Sequence, residues 1–461
     1  MKKTCPWAPV VTTLVLSLAA STAGAKVSEA EAAKLGKELT CVGAEVAGNK
    51  DGTIPAFSGK WLGTPPGIKY TLKVGQHPLD AYPDDKPLFT ITAANVAKYA
   101  DHLSDGQKAM FARYPETFRM PVYTSRRDFR YPDAVCEISK KNAVQAELID
   151  DGLGFTGLMG SSPFPIPKLA MEVLANMNFP YRAFNEGTLQ RDIADVSPKG
   201  DISWGRQFNF NLNVVTHPDN VGKPIQGVMA YARTGALLPE RDKGTITVSQ
   251  EPVNFAQGKR LAWNYDPGTR RVRQLPVYGF DNPLAGTSGK MTIDQDRLMN
   301  GDPSRYEWIL HGKREMYIPA NTYRVHSKDV KYADLLKPGH ANPDFMRYEL
   351  RRVWVLEGKL KEGFRHLFGK RVMFIDEDNW QASVGDYYDT RGQLWQHAFI
   401  NHYYAYDMNA WQAGSAFYHD LNSGGYVGYN LWQERERGPV LNKGDLNPDQ
   451  YTPAALRAAG N

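Results

Sequence analysis

The chain has 461 residues, of which 23% are charged, and its formal net charge is only +5. Nucleic-acid binding requires a concentrated basic surface, so this near-neutral balance argues against a nucleic-acid partner. The length allows a large core and two or three domains, and the 24 Tyr and 10 Trp favour strands over a helical bundle.

The N-terminus, residues 1–25, has the pattern of a secretory signal peptide. Lys2 and Lys3 precede an apolar stretch, and the small residues AGA at 23–25 provide a cleavage site. The apolar stretch is too short for a membrane span, which needs roughly 20 residues. Lys26 stands where a lipid-anchored protein would have a cysteine. We therefore expect cleavage after Ala25 and a soluble mature protein outside the cytoplasm.

Two cysteines remain after this cleavage, Cys41 and Cys136. An even pair in an oxidising compartment is a candidate disulfide. Two unpaired buried thiols are the alternative, because the sequence does not show that the two Cα atoms approach each other. Neither cysteine has a second Cys or a His at ligand spacing, so we expect no metal site.

Residues 26–87 are rich in glycine and proline and are predicted to form an extended arm. A flexible leader is the alternative, but apolar anchors favour an arm that lies along the body of the protein. These anchors are Ile54, Phe57, Trp61, Leu62 and Tyr70.

Residues 88–180 are predicted to contain a helical hairpin and a connecting segment. Thr92 can cap a first helix, and Ser104 with Gln107 has the capping-box pattern of a second helix, which Pro115 ends. A further short helix is predicted near 169–177.

The remaining residues, 181–461, are predicted to form a β body. The even positions from Trp204 to Val214 are apolar except for Arg206, and the odd ones are polar except for Gly205, which indicates an antiparallel sheet with one solvated side. Further strands are predicted near 226–237, 244–251, 259–265, 271–278, 306–319, 345–357, 370–378, 381–388, 393–404 and 411–431.

No local pattern in the chain is typical of catalysis, a metal or a cofactor. The acidic run Asp376-Glu377-Asp378 could suggest calcium, but its position between two strands favours a solvated hairpin turn. Triads assemble from distant residues, so an envelope hydrolase stays a minor hypothesis. We otherwise expect a protein that is not an enzyme.

The apolar strand faces are the positive signal for ligand binding. Such a face must be buried against helices or against a ligand, and ordinary core packing is the alternative. The residues predicted to line an apolar concavity are Trp204, Phe208, Phe210, Leu212, Met346, Tyr348, Leu350 and Trp354.

Several short sequence segments together resemble the family known as domain of unknown function 1329, whose members are often described as outer-membrane lipoprotein-sorting proteins. They are VGAE at 42–45, GTIPA at 52–56, KPLFTIT at 86–92, PFPIP at 163–167, YDPGTRRVR at 265–273, KREMYIP at 313–319 and KRVMFIDED at 370–378. The resemblance implies a fold related to periplasmic lipoprotein carriers. In that fold a strongly curved antiparallel sheet, an incomplete β-barrel, has helices packed in its concave face. No catalytic residue is established for this family. The chain differs from the lipoprotein carriers in its larger size and its long N-terminal arm.

The resemblance and the sequence together predict a non-enzymatic periplasmic carrier or chaperone. Its ligand would be a hydrophobic small molecule or an acyl chain, and no cofactor is expected. The resemblance also implies partners in an envelope export system, an RND-type inner-membrane exporter and an outer-membrane barrel protein. The alternative is a structural adaptor that links these two partners without a ligand of its own. Either protein would lie in the periplasm, free or associated with the outer membrane.

Overall fold

The structure, a computed structural model, describes Met1, residues 27–64, Pro66 and residues 75–459. The predicted signal peptide after Met1 and the predicted arm residue Tyr70 lie outside the described residues. Within the described residues, no helix combines the length and the apolar character that a membrane span requires.

Strands are the main elements of the described chain, and the helices are short. The strands are β1 (Phe89–Ile91), β2 (Met120–Val122), β3 (Leu148–Ile149), β4 (Gly154–Phe155), β5 (Asn185–Val196), β6 (Ile202–Asn213), β7 (Val228–Leu238), β8 (Ile246–Pro252), β9 (Leu261–Asp266), β10 (Arg271–Gln274), β11 (Tyr306–Pro319), β12 (Tyr348–Leu360), β13 (Lys370–Asp376), β14 (Ala382–Tyr388), β15 (Leu394–Ala405), β16 (Ala410–Asp420), β17 (Tyr426–Leu431) and β18 (Val440–Leu441). The α-helices are α1 (Glu29–Ala32), α2 (Asp105–Arg113), α3 (Asp133–Gln145), α4 (Ala170–Asn178), α5 (Tyr332–Leu335) and α6 (Pro453–Ala459).

Sixteen strands form one sheet, in the order β1-β2-β12-β13-β14-β15-β16-β17-β5-β6-β7-β8-β9-β10, with β11 beside β12 and β18 beside β5. Its pairings are antiparallel except for a parallel contact between β2 and β12. Two runs of consecutive hairpins, β11 to β17 and β5 to β10, are joined where β17 pairs with β5.

One side of the sheet is concave. Ile400 of β15 and Ser249 of β8 line the same cavity, although six strand spacings, about 29 Å on a flat sheet, separate their strands. On this concave side, Ile400 belongs to a core cluster that also contains Leu174 of α4 and Trp61 of the arm. The predicted fold class, a mainly β protein with a large curved antiparallel sheet and helices against it, is confirmed. Helix α2 packs on the opposite, convex side, where Phe111 joins a second cluster.

The predicted capping box of the second helix is confirmed. The Gln107 backbone N–H donates to the Ser104 hydroxyl, and the Ser104 N–H donates to the Gln107 side chain. The first predicted helix is instead a 3-10 helix, Val96–His102, that begins at Asn95. Asn95, not Thr92, occupies the N-cap position, and no side chain caps this helix; the Thr92 N–H donates to the Asn95 side chain at 2.8 Å.

Several elements have no counterpart among the sequence predictions, and strand β5 and helix α3 are the longest of them. Strand β5 does not alternate regularly, since a register shift between Thr188 and Arg191 in its pairing with β6 changes the side to which its residues point. Helix α3 begins at Pro132 without a side-chain cap, so it lacks the usual start signal.

Candidate functional site

The cavity on the concave side is the candidate site. It has a volume of about 330 Å³ and is partly open to solvent. A row of amide side chains on β6 forms one wall: Gln207, Asn209, Asn211 and Asn213. These are the odd positions that the sequence assigned to a solvated face. That assignment is wrong for β6, because the curved sheet turns this face inward.

Small residues on β7 and β8 leave the space open. Asn211 lies opposite Ala232, and Ala232 lies opposite Ser249, so these three residues form one row across the sheet. Thr234 and Thr247 form the neighbouring row with Asn209. Because none of the side chains on β7 and β8 in these rows is larger than threonine, the cavity is not filled from this side.

The opposite wall is mainly apolar. Ile400 of β15 and Ala416 of β16 contribute to it from the sheet, and Leu284 and Met299 contribute from the segment that follows β10. Met177 of α4 also lines the cavity. A polar wall and an apolar wall therefore face each other across one space.

Charged side chains lie around the cavity, and most of them are paired. Arg260 donates to the carboxylate of Glu251 and to the amide oxygen of Asn300. Arg297 donates to the carboxylate of Glu186, with 3.3 Å between Nη2 and Oε2. The charged lining residues are Arg182, Arg191, Arg260 and Arg297 with Glu186, Glu251 and Asp296.

Burial is the main influence on the charge of Arg182. Burial lowers the pKa of its guanidinium to about 9, and the nearby charge of Arg297 acts in the same direction. Arg182 stays protonated at neutral pH and donates to the Asn213 side chain at 2.7 Å.

None of the eight apolar residues predicted to bind a ligand is among the residues that line this cavity. Phe208 and Phe210 point to the convex side, where their ring centroids lie 5.7 Å apart and Phe208 packs near Leu456 of α6. Trp204 stacks near Tyr332 at 5.3 Å, and Leu212 is buried. On the apolar side of β6, Leu212 is therefore buried in the core and Phe208 and Phe210 are half-buried, whereas Trp204 is 37% exposed.

The second predicted group is divided between the two core clusters. Met346, Tyr348 and Leu350 are buried in the convex-side cluster. Trp354 instead stacks on Trp380, with ring centroids 5.9 Å apart, beside the concave-side cluster. These four residues pack in the core on the two sides of the sheet and do not surround a common space.

Cys41 and Cys136 form a disulfide whose Cα atoms are 4.9 Å apart. It joins the N-terminal arm to α3. In the described part of the chain, no group of three or more His, Cys, Asp or Glu side chains could hold a metal ion.

A serine and a histidine meet inside the sheet, which bears on the hydrolase hypothesis. The Ser383 hydroxyl lies 3.2 Å from Nδ1 of His402. Both side chains are buried, and neither lines the cavity. Burial lowers the pKa of His402 to about 3, and the positive charge of Arg297 adds to this effect. A substrate in the cavity would not reach this pair.

The acidic run Asp376-Glu377-Asp378 is buried, so the predicted solvated turn is wrong. Asp378 is only 2% exposed. Arg127 donates through Nε and Nη2 to the two oxygens of Asp378, each at 2.8 Å, and Arg351 donates to the same carboxylate at 2.7 Å. Arg127 lies 251 residues away in the chain, so no local pattern identifies it as a partner.

The same ionic cluster holds the N-terminal arm. Arg127 also donates to the backbone carbonyls of Glu45 at 2.6 Å and Pro55 at 3.1 Å. Arg352 donates to the carbonyl of Ala47, and the Trp380 indole donates to that of Val42. The arm covers the acidic turn, which explains why three adjacent carboxylates are buried.

Burial and the charge of Asp378 raise the pKa of Glu377 to about 7. The unfolded chain then binds fewer protons than the folded chain between about pH 4.5 and 7, so Glu377 lowers the free energy of unfolding as pH rises through this window. We expect Glu377→Gln to stabilise the protein more at pH 7 than at pH 5, which urea unfolding at both pH values measures.

Asp389→Asn is the control, because Asp389 lies outside this cluster and the backbone N–H of Gln393 and the side chain of Arg391 hold its pKa below the ordinary value. Asp389 is ionised in the folded and in the unfolded chain across this range, so the effect of Asp389→Asn should not change between pH 5 and 7. Equal effects of Glu377→Gln at the two pH values would contradict the raised pKa.

Comparison with known proteins identifies similar chains. A family model described as "Protein of unknown function (DUF1329)" matches residues 90–457. The uncharacterized protein PA3922 of Pseudomonas aeruginosa is 40% identical over 453 residues, which are 97% of each chain.

Solved structures resemble the chain more distantly. A putative outer membrane lipoprotein-sorting protein domain from Vibrio parahaemolyticus has a TM-score of 0.39 at 13% identity and covers 59% of this chain and 91% of its own. A DUF1329 family protein from Desulfovibrio piger has a TM-score of 0.39 at 13% identity, with 59% and 92% covered. A LolA superfamily protein from Nitrosomonas europaea has a TM-score of 0.35 at 12% identity, with 62% and 98% covered.

Proposed function

The chain belongs to the DUF1329 family of proteins of unknown function, and from this premise we propose that it is a non-enzymatic carrier that holds one amphiphilic molecule in the concave cavity. The observation that carries the proposal is the two-sided lining. The amide row of β6 can hydrogen-bond a polar group, while Ile400, Ala416 and Met299 offer apolar contact on the other side. Ligand sites combine apolar walls with a few polar groups in this way.

The size of the cavity limits the ligand. A volume of about 330 Å³ is at the lower end of the range for small-molecule sites, roughly 300–1,000 Å³. One acyl chain or a compact amphiphile fits this space better than a multi-chain lipid. Each buried CH₂ contributes about 0.8 kcal/mol, so the apolar part supplies affinity and the polar wall fixes orientation.

The N-terminal sequence supports a periplasmic place of action, because it has the pattern of a cleavable signal peptide. A carrier there would receive its ligand from one membrane and release it at another. We include an RND-type exporter and an outer-membrane barrel protein as partners in this proposal.

Filling the cavity tests the proposal. Ala232 lies in the middle of the row of small residues that crosses β7 and β8. We therefore expect Ala232→Trp to fill the cavity and exclude the ligand. Protein purified from its own periplasm without detergent should carry an amphiphile in native mass spectrometry with lipid extraction. The Ala232→Trp variant should carry at most about a tenth as much, since overpacking excludes the ligand.

Arg233→Trp is the matched control, because Arg233 is the next residue on β7 and points to the convex side over the Phe208 ring. It should retain the ligand, and circular dichroism should show that both variants are folded. Wild-type protein that is repeatedly empty and captures membrane partners would refute the carrier and favour the structural adaptor.

A further inference from the structure

We propose that the ligand of the cavity carries an oxyanion, a carboxylate or a phosphate, and that Arg191 receives it. This inference rests on the proposed carrier function and specifies the chemical class of its ligand. Arg191 stands on β5 just after the register shift that turns this part of the strand, and it lines the cavity beside Gln207.

Arg191 is only 8% exposed, yet its guanidinium is incompletely paired. Both of its hydrogen bonds use Nη2, which donates to the Tyr429 hydroxyl at 3.0 Å and to the Gln207 side chain at 3.4 Å. Its Nε is buried and has no hydrogen-bond partner in the described chain. Both partners of Arg191 are neutral, so the positive charge has no carboxylate within ion-pair distance among the described residues.

Two of the other three cations of the cavity differ from Arg191 in this respect, whereas Arg182, like Arg191, has a neutral partner. Arg260 is paired with Glu251, and Arg297 is paired with Glu186. Arg182 donates to the Asn213 side chain. With Asp296 included, four arginines face three carboxylates, so the lining has one surplus positive charge. A bound monoanion would neutralise this surplus.

Tyr429 adds a second donor next to Arg191. The guanidinium carbon lies 5.0 Å from the ring centroid, and the hydroxyl oxygen accepts from Nη2. Burial raises the pKa of Tyr429 although Arg191 opposes this, so the hydroxyl keeps its proton at neutral pH. Within the described chain that proton is donated to no residue, and it is available to an oxygen of the ligand.

An oxyanion satisfies these groups better than a neutral polar group does. A guanidinium binds carboxylate and phosphate oxygens through parallel N–H donors, and such charge-assisted bonds are about twice as strong as neutral ones. The apolar wall of Ile400, Ala416 and Met299 then accommodates the alkyl part of the same molecule. The geometry therefore favours an anionic amphiphile over a free anion.

The test compares three probes by isothermal titration calorimetry on the full secreted chain, after native mass spectrometry has shown that it is free of ligand. The probes are decyl phosphate, 1-decanol and inorganic phosphate, each below its aggregation concentration. Wild-type protein should bind decyl phosphate at least about tenfold more tightly than 1-decanol, and inorganic phosphate much more weakly.

Arg191→Met should remove most of this preference, because it removes the guanidinium that receives the oxyanion. Arg191→Lys should retain part of the preference, because an ammonium group keeps the charge but not the fork of donors. Arg233→Met is the matched control: Arg233 also has a buried Nε without a partner, but it lies outside the cavity, so the preference should persist.

Each outcome separates this inference from the carrier function. Equal affinity of wild-type protein for decyl phosphate and 1-decanol would overturn the oxyanion and keep the carrier, and this result does not depend on whether Arg191→Met folds. Inorganic phosphate bound as tightly as decyl phosphate would keep Arg191 as an anion receptor and overturn the amphiphile. No binding of any probe would overturn both proposals.

Discussion

Replacement of Arg351 by methionine is expected to lower the free energy of unfolding by about 3–5 kcal/mol, because it leaves the buried carboxylate of Asp376 without its cation and that of Asp378 with Arg127 alone. Arg351 is 1% exposed and donates to Asp376 at 3.2 Å and to Asp378 at 2.7 Å. Its Nη1 also donates to the carbonyl of Arg126 at 3.0 Å. Methionine has a similar length but satisfies none of these acceptors.

Urea or guanidinium unfolding of the full chain measures this effect. Arg391→Met is the matched control, since Arg391 is 83% exposed and its ion pair with Asp389 lies in a solvated hairpin. Exposed pairs contribute about 0–1 kcal/mol, so the control should unfold at nearly the wild-type denaturant concentration. A value for Arg351→Met within about 1 kcal/mol of the control would show that the cluster relaxes around the lost cation.

The position of most strands could be predicted from the sequence, because hairpins are local structures with a two-residue period. Strand β11 (Tyr306–Pro319) begins and ends where the alternation predicts. The period does not indicate the direction in which the sheet curves. Phe208 and Asn209 were correctly assigned to opposite faces, but which face is enclosed depends on pairing between β17 and β5, which are distant in the chain.

The candidate site was missed for the same reason. An asparagine row on one strand is typical of a solvated face, and only the curvature of the sheet makes it the wall of a cavity. Arg191 carried no signal because the register shift places it outside any regular alternation. The odd positions of β6 from Gln207 to Asn213 carry amide side chains and no charged ones. In the sequence, this was the one indication that the face is not simply solvated.

Burial of the acidic turn could not be predicted either, because it depends on two long-range contacts. Arg127 reaches Asp378 from the segment before α3, and the arm closes over both. A local sequence of three acidic residues between strands gives no information on such a cover. The arm itself was predictable in part from its apolar anchors: Ile54 and Trp61 are buried, whereas the predicted anchor Leu62 is 63% exposed.

Removal of the Cys41–Cys136 disulfide is the second change with a large expected effect. The two cysteines are 95 residues apart in sequence. In the chain-entropy model a closed loop of about 100 residues contributes about 4.7 kcal/mol at 25 °C, by restricting the unfolded chain. We therefore expect the Cys41→Ser, Cys136→Ser double variant to be less stable by about 3–5 kcal/mol in denaturant unfolding.

The effect of this change should be greatest in the arm, because the disulfide is its covalent link to α3, whereas hydrogen bonds, ion pairs and packing hold the arm to the sheet. Hydrogen exchange should show the largest increase in residues 27–64 and little change in β13 to β16. Wild-type protein reduced by dithiothreitol is the control and should match the double variant in both measurements. If reduced and oxidised proteins unfold at the same denaturant concentration, the noncovalent contacts alone hold the arm, and the acidic turn stays covered without the disulfide.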